Sequence, residues 1–170
     1  NVYGATKLEG ETLVRSAHPG AVVLRTSWVY SLHGSNFVKT MLSLARTRDE
    51  LTVVADQIGG PTPANAIAQA CITIAGRPNG PAGLYHFQGS PPASWADFAE
   101  EIFRAAGLTA RVRRIRTEDY PTPAKRPLFS VLNCEKIHKD YGISQPDWRR
   151  DIAHASPTLL KRLQEGAWHT

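Results

Sequence analysis

The sequence predicts an α/β fold built on parallel strands, and three observations carry that reading. Short apolar, β-branched runs such as Ala21-Val22-Val23-Leu24-Arg25-Thr26 alternate with longer stretches of helical spacing. Hydrophobic residues make up 42% and charged residues 21% of the 170 positions, ordinary values for a globular chain with a real core. Turn residues fall where alternating elements need them, at His18-Pro19-Gly20, Gly59-Gly60-Pro61, Gly107 and Gly142.

Taken in order, residues 2–17 read as a helix carrying Leu8, Leu13 and Val14 and stopped by His18-Pro19-Gly20. Residues 21–26 follow as a buried parallel strand and 31–35 as a polar loop. Helical spacing returns over 36–48 through Phe37, Met41, Leu44 and Ala45, and 51–55 is a second short apolar strand. Residues 56–63 form a Gly/Pro loop, and 64–75 a helix of small residues. A strand at 83–87 precedes a helix that Ser94 caps and Gly107 ends. Residues 110–116 are a strand, and the three prolines of 120–127 make an extended connection. A short helix over 134–141 stops at Gly142, and a last helix over 148–164 meets Pro157, which predicts a bend or a break. Trp148 and Trp168 read as packing residues.

Several function classes recede at this stage. No apolar run approaches the roughly 20 residues of a membrane-spanning helix, and the polar start NVYGATKLEGE is no secretory signal. Two cysteines, Cys71 and Cys134, are too few for a disulfide framework, so a reduced, cytoplasmic setting is the expectation. The six histidines show no metal-ligand spacing, and no metal site is predicted. The net charge of +5 suits a phosphate-bearing small molecule. The one dense basic run, Arg111-Val112-Arg113-Arg114-Ile115-Arg116, lacks the interleaved glycine and aromatics of an RNA-binding sheet; it reads as a solvated strand face, with no nucleic acid as partner. Neither a GxGxxG nor a P-loop sequence occurs, so a dinucleotide site here would be partial.

Chemistry enters with Tyr3 and Lys7. Four residues apart on a helix, they share a face about 6 Å apart along the axis. An ammonium about 4 Å from a phenol favours the phenolate by roughly 4 kcal/mol at an effective dielectric near 20. That is enough to draw a tyrosine toward proton transfer near neutrality. A lone Y-x-x-x-K pair is common on solvated helices, but its neighbours are informative. The string Asn1-Val2-Tyr3-Gly4-Ala5-Thr6-Lys7-Leu8-Glu9-Gly10-Glu11 resembles the active-site helix of extended short-chain dehydrogenases/reductases. Three further ordered blocks are Leu24-Arg25-Thr26-Ser27-Trp28-Val29-Tyr30 with 36–42, then Asp56-Gln57-Ile58-Gly59-Gly60-Pro61-Thr62, then Arg126-Pro127 with Ser130, Leu132 and Asn133. Together they resemble the dTDP-4-dehydrorhamnose reductase family of dTDP-rhamnose and cell-surface polysaccharide biosynthesis, over residues 1 to about 148.

The resemblance implies a partial Rossmann-type parallel sheet with a small C-terminal α/β substrate-binding region. Residues 1–60 would be the remainder of the Rossmann-type domain with the Tyr/Lys helix, and 61–170 mainly the substrate-binding region. It implies NADPH (or NADH) as cofactor, with magnesium possible but not placed, a nucleotide-sugar substrate, no membrane, and a possible homodimer. Tyr3 matches the proton donor and Lys7 the residue that binds nicotinamide ribose and tunes the tyrosine. Thr26 and Ser27 would pass close to the cofactor. Trp28, Asn36 and Arg126 would face the substrate. An arginine holds a diphosphate through two parallel hydrogen bonds. Each also has a plainer reading: Trp28 as a core aromatic, Asn36 as a helix cap, Arg126 as a surface ion-pair partner. Asp56 and Gln57 are expected to fix a loop. The phosphate loop and the upstream Ser/Thr partner of the tyrosine are missing, and Ser31 stands where many relatives have glycine. The chain therefore reads as a C-terminal portion, inactive alone. The rival readings are a non-enzymatic nucleotide-sugar-binding relative and a related epimerase or dehydratase.

Overall fold

The computed structural model describes residues 1–124 and 126–164. Helix α1 (Val2–Ala17) leads into β1 (Val22–Arg25), β2 (Val29–Tyr30), α2 (Phe37–Leu44) and β3 (Glu50–Val54). Then come β4 (Ile58–Gly59), β5 (Thr62–Pro63), α3 (Ala64–Ala75), β6 (Gly83–His86), β7 (Ala93–Ser94) and α4 (Trp95–Ala105). Strand β8 (Arg111–Ile115), a 3₁₀ turn (Thr117–Asp119), α5 (Glu135–Tyr141) and α6 (Trp148–Gln164) complete the order. Trp168 lies outside the described residues.

Three of the four strand pairs are parallel; β1 is parallel as expected for the 21–26 run, but its four residues are only partly buried, because among the described strands its one partner is β6. β1 runs beside β6 from Val22↔Gly83 to Arg25↔His86, and β3 beside β8 from Glu50↔Arg111 to Val54↔Ile115. β2 pairs β5, and β4 pairs β7 antiparallel. The α/β class is as predicted, while the described strands form four two-stranded ladders and not one broad sheet. Four of the strands are only two residues long, too short to leave a periodicity. The helix expected over 36–48 ends at Leu44, because Arg46, Thr47 and Arg48 are exposed and the chain turns there through a Thr47 amide to Leu44 carbonyl bond. Pro157 does not break α6, which is continuous through it.

Local chemistry explains the helix ends. Asn1 caps α1 by accepting from the Gly4 amide at 2.8 Å. Ser94 and Asp97 form a reciprocal capping box at the start of α4 (3.0 and 2.8 Å). Burial pushes the Asp97 carboxyl up, but hydrogen bonds from Ser94 and Arg114 outweigh it and hold the group below its ordinary range. Gly142 closes α5 in the left-handed region at φ 69°.

Two apolar clusters hold the elements. The larger joins Val38 and Leu42 of α2, Leu51 and Val53 of β3, Phe98 and Ile102 of α4, and Trp148, Ile152 and Leu159 of α6. The smaller joins Ala70 of α3, Tyr85 of β6, and Ile137 and Tyr141 of α5. The arginines of β8 are answered on the surface: Arg113 meets Glu50 at 3.6 Å, and Arg114 meets Asp97 at 2.7 Å and Glu100 at 3.1 Å. Such exposed pairs add little stability.

Candidate functional site

The candidate site starts from α1. Among the described residues this helix buries no side chain fully, and Tyr3 is 71% exposed. The Lys7 ammonium lies over the Tyr3 ring, 5.5 Å from its centroid. Apart from that contact, the Tyr3 hydroxyl and the Lys7 ammonium carry no hydrogen bond to any described residue, so both can serve a ligand. One turn beyond Lys7, Glu11 takes two parallel hydrogen bonds from Arg25, Nε to Oε1 at 2.7 Å and Nη2 to Oε2 at 2.6 Å. The guanidinium holds the Glu11 carboxyl below its ordinary range, against partial burial. Arg25 is the last residue of β1, so this fork sets the helix against the strand end that carries Thr26 and Ser27.

The strand end is tied to two other segments. The Ser27 hydroxyl lies 3.1 Å from both the Gly60 carbonyl and Gln88 Oε1. Gln88, 1% exposed, also accepts from the Leu132 amide at 3.1 Å, and its carbonyl accepts from Gln145 Nε2 at 3.1 Å. Sequence reasoning missed this hub, because one glutamine after an apolar strand leaves no pattern. Thr26 is exposed beside it.

Trp28 has φ 45°, a region rare for a bulky side chain and worth about 1–3 kcal/mol of strain. Its surroundings enforce the conformation. The Trp28 carbonyl accepts from the Thr62 amide at 3.1 Å, and its indole stacks on Trp95 with centroids 3.5 Å apart and planes 6° from parallel. Gly59 leaves room for it: a Cβ there would stand 2.4 Å from Trp28 Cε2. Gly89 meets a similar need, since its Cβ would stand 2.0 Å from the Pro61 carbonyl oxygen. Trp28 is thus half-buried and takes a packing role. Trp95 was not singled out from sequence; its place directly after the Ser94 cap was the available signal.

Asp56 and Gln57 fix a loop, as expected. Asp56 accepts from the Thr117 hydroxyl at 2.7 Å and the Thr117 amide at 3.0 Å, which hold its carboxyl below the ordinary range. Buried Gln57 donates to the same hydroxyl at 3.0 Å. Asn36 acts as the cap of α2: its Oδ1 accepts from the Lys39 amide at 3.2 Å and its Nδ2 donates to the Ser31 carbonyl at 2.8 Å. It also lines an open cleft with Gly34, Ser35 and Thr40. Arg126 is exposed and makes no ion pair with a described residue. The segment after it pairs with β4, through the Ile58 amide to the Leu128 carbonyl and the Ser130 amide to the Ile58 carbonyl, each 2.8 Å.

The fold therefore gathers Ser27, Trp28, the 56–62 loop, Gln88 and the 128–132 segment into one bonded group, with α1 clamped beside it. Among the described residues, Asn36 and Arg126 make no side-chain hydrogen bond or ion pair to that group. Among the described residues, no cluster of three or more His, Cys, Asp or Glu could hold a metal, and no helix is long and apolar enough to cross a membrane.

Comparison with known proteins bears on the fold. The profile of the RmlD substrate binding domain matches residues 1–160. A dTDP-4-dehydrorhamnose reductase of Sinorhizobium fredii is 49% identical over 169 residues, covering 94% of this chain and 57% of its own. The crystal structure of a dTDP-4-dehydrorhamnose reductase from Clostridium acetobutylicum superposes with a TM-score of 0.86 at 40% identity, over 94% of this chain and 55% of that one. The Bacillus anthracis reductase in complex with NADP gives 0.79 at 35% identity, over 90% and 53%. The chain spans about half the length of the curated relatives it matches.

Proposed function

Because the chain belongs to the RmlD substrate binding domain family, we propose that it is the substrate-side part of an NADPH-dependent reductase. The reaction is reduction of the C4 keto group of dTDP-4-dehydro-β-L-rhamnose to dTDP-β-L-rhamnose. The observation that carries this reading is the Tyr3–Lys7 pair, unengaged by other described residues on a helix that Glu11 clamps to the end of β1. The residues present fit one end of the cofactor: an ammonium and a phenol on one face of α1 with no hydrogen bond to a described residue, on the helix that Glu11 ties to the end of β1. No glycine-rich turn in the chain fits a diphosphate, so that part of the cofactor is assigned to polypeptide other than these 170 residues. NADPH supplies the hydride when bound.

The work of this chain is proton delivery and orientation. Tyr3 Oη donates its proton to the oxygen that gains charge at C4, and Lys7 stabilises the phenolate left behind while binding ribose hydroxyls. Ser27 and Thr26 border the reacting face. Trp28 presents its indole edge to the sugar, and Arg126 supplies a free fork for the substrate diphosphate. Asn36 orders the neighbouring loop. The 170-residue chain alone is inactive in this reading, because hydride transfer needs both reactants held together. A cytoplasmic setting and assembly as a homodimer complete the proposal.

The test is Tyr3→Phe in the complete protein, followed by NADPH oxidation with the keto-sugar and product analysis. A loss of about 10²- to 10⁴-fold in kcat with binding retained supports the assignment. Wild-type turnover by the variant refutes it, and an epimerised or dehydrated product replaces the reductase reading with its rivals.

A further inference from the structure

We propose that Glu11, acting through Arg25, is a positioning residue for the proton-donor helix, an inference that rests on the Tyr3–Lys7 reading above. Tyr3, Lys7 and Glu11 recur every four residues and form one stripe on α1. Tyr3 stands about 12 Å along the axis from Glu11, and Lys7 about 6 Å. Among the described residues, the Arg25–Glu11 fork is the one side-chain hydrogen-bonded link from α1 to another element. Among the described residues the helix has no fully buried side chain, and the fork supplies its directional tie to β1.

The fork also sits in a partly closed seam and not on open surface. The Glu11 side chain is 17% exposed against 40% for Arg25. Arg25 lies in register with His86 on β6, and side chains so paired project from the same face of the ladder. Among the described residues, His86 Nε2 is buried there without a hydrogen-bond partner. A bidentate contact has one good geometry, unlike a point contact. It fixes both the rotation of α1 and its slide, and hence where Tyr3 Oη stands relative to Thr26 and Ser27. Neither Glu11 nor Arg25 touches the reacting atoms in this scheme.

A double-mutant cycle in the complete reductase tests the inference. Glu11→Gln and Arg25→Met are assayed singly and together, well below the melting temperature of each, for kcat and for the KM of the nucleotide-sugar. Misplacing a reacting group by about 1 Å can cost about 10²-fold. We expect each single variant to lower kcat at least about tenfold with KM little changed, and the double variant to be no worse than the poorer single one. If Arg25→Met does not fold, Arg25→Lys, which keeps the charge and loses the fork, takes its place in the cycle. Wild-type kcat in the variants, even with a lower melting temperature, overturns the inference, and so do losses that multiply in the double variant. Absence of turnover in the wild-type protein is a different failure: it removes the reductase reading and this inference with it.

Discussion

Replacing Gly59 by alanine tests whether the Trp28 site is as tightly built as its contacts indicate. A Cβ at Gly59 would stand 2.4, 2.5 and 2.7 Å from Cε2, Nε1 and Cζ2 of Trp28. Carbon contacts are comfortable near 3.5–4.0 Å, so a relative shift of about 1 Å is required. The indole is poorly placed to give way. It already lies 3.5 Å from the Trp95 ring, and Trp95 leans on Phe37 with centroids 4.6 Å apart. Its backbone is held by the Thr62 amide at 3.1 Å. Overpacking of this kind costs about 1–3 kcal/mol, or roughly 2–4 °C of melting temperature per kcal/mol at this chain size. Urea denaturation gives the free energy, and near-ultraviolet circular dichroism reports the stacked tryptophan pair. Gly10→Ala is the control: nothing lies within 4 Å of its Cβ on helix α1, so relief of the glycine penalty should raise stability by about 0.5–1 kcal/mol. If Gly59→Ala matches the wild type within about 0.5 kcal/mol with an unchanged spectrum, the packing argument for Trp28 is wrong.

Two further predictions concern the loops around that tryptophan. Gln88→Leu leaves the Leu132 amide without its acceptor and removes a partner of Ser27, so unfolding in urea should show a loss of about 1–3 kcal/mol. Asp56 has its folded-state carboxyl held low by the Thr117 hydroxyl and amide, so its contribution is present above the ordinary carboxylate range and is lost as pH falls through the lowered folded value. Melting temperatures measured across the acid range should therefore fall less steeply in Asp56→Asn than in the wild type, and an equal acid slope would contradict the assignment.

What could be read from the sequence was what local chemistry writes locally. Ser94 followed by Asp97 three residues on announces a capping box, and Gly142 announces a helix end. The helix over 64–75 has the bounds its small-residue pattern gave. The parallel pairing of β1 was legible because Val22, Val23 and Leu24 form an unbroken apolar run. The ties that organise the site are not local. Ser27 meets Gln88 across 61 positions and Asp56 meets Thr117 across 61, and no periodicity links such partners. Asn36 shows the converse: the residue was legible, but its two hydrogen bonds are spent on a cap and a loop, so composition alone could not separate ordering from recognition.

The site divides into parts of unequal stiffness, and that division bears on how the proposed chemistry is controlled. Ser27, Trp28, Gly59, Gly60 and Gln88 are over-determined: each touches at least one other, and Cβ atoms added at either glycine would collide with Trp28 or Gln88. Strain at Trp28 persists there because its neighbours leave no alternative. α1 is tied differently, with one two-pronged ion pair as its side-chain hydrogen-bonded link to another element among the described residues. In the proposed reaction the loop group would set where the sugar lies, and α1, tied to β1 by the Glu11–Arg25 fork, would set where the proton is. Such a reaction depends on close placement of the donor, so a shift of α1 by about 1 Å can cost about 10²-fold in rate. Substitutions in the loop group should therefore act first on stability and substrate affinity, and substitutions at Glu11 or Arg25 first on kcat.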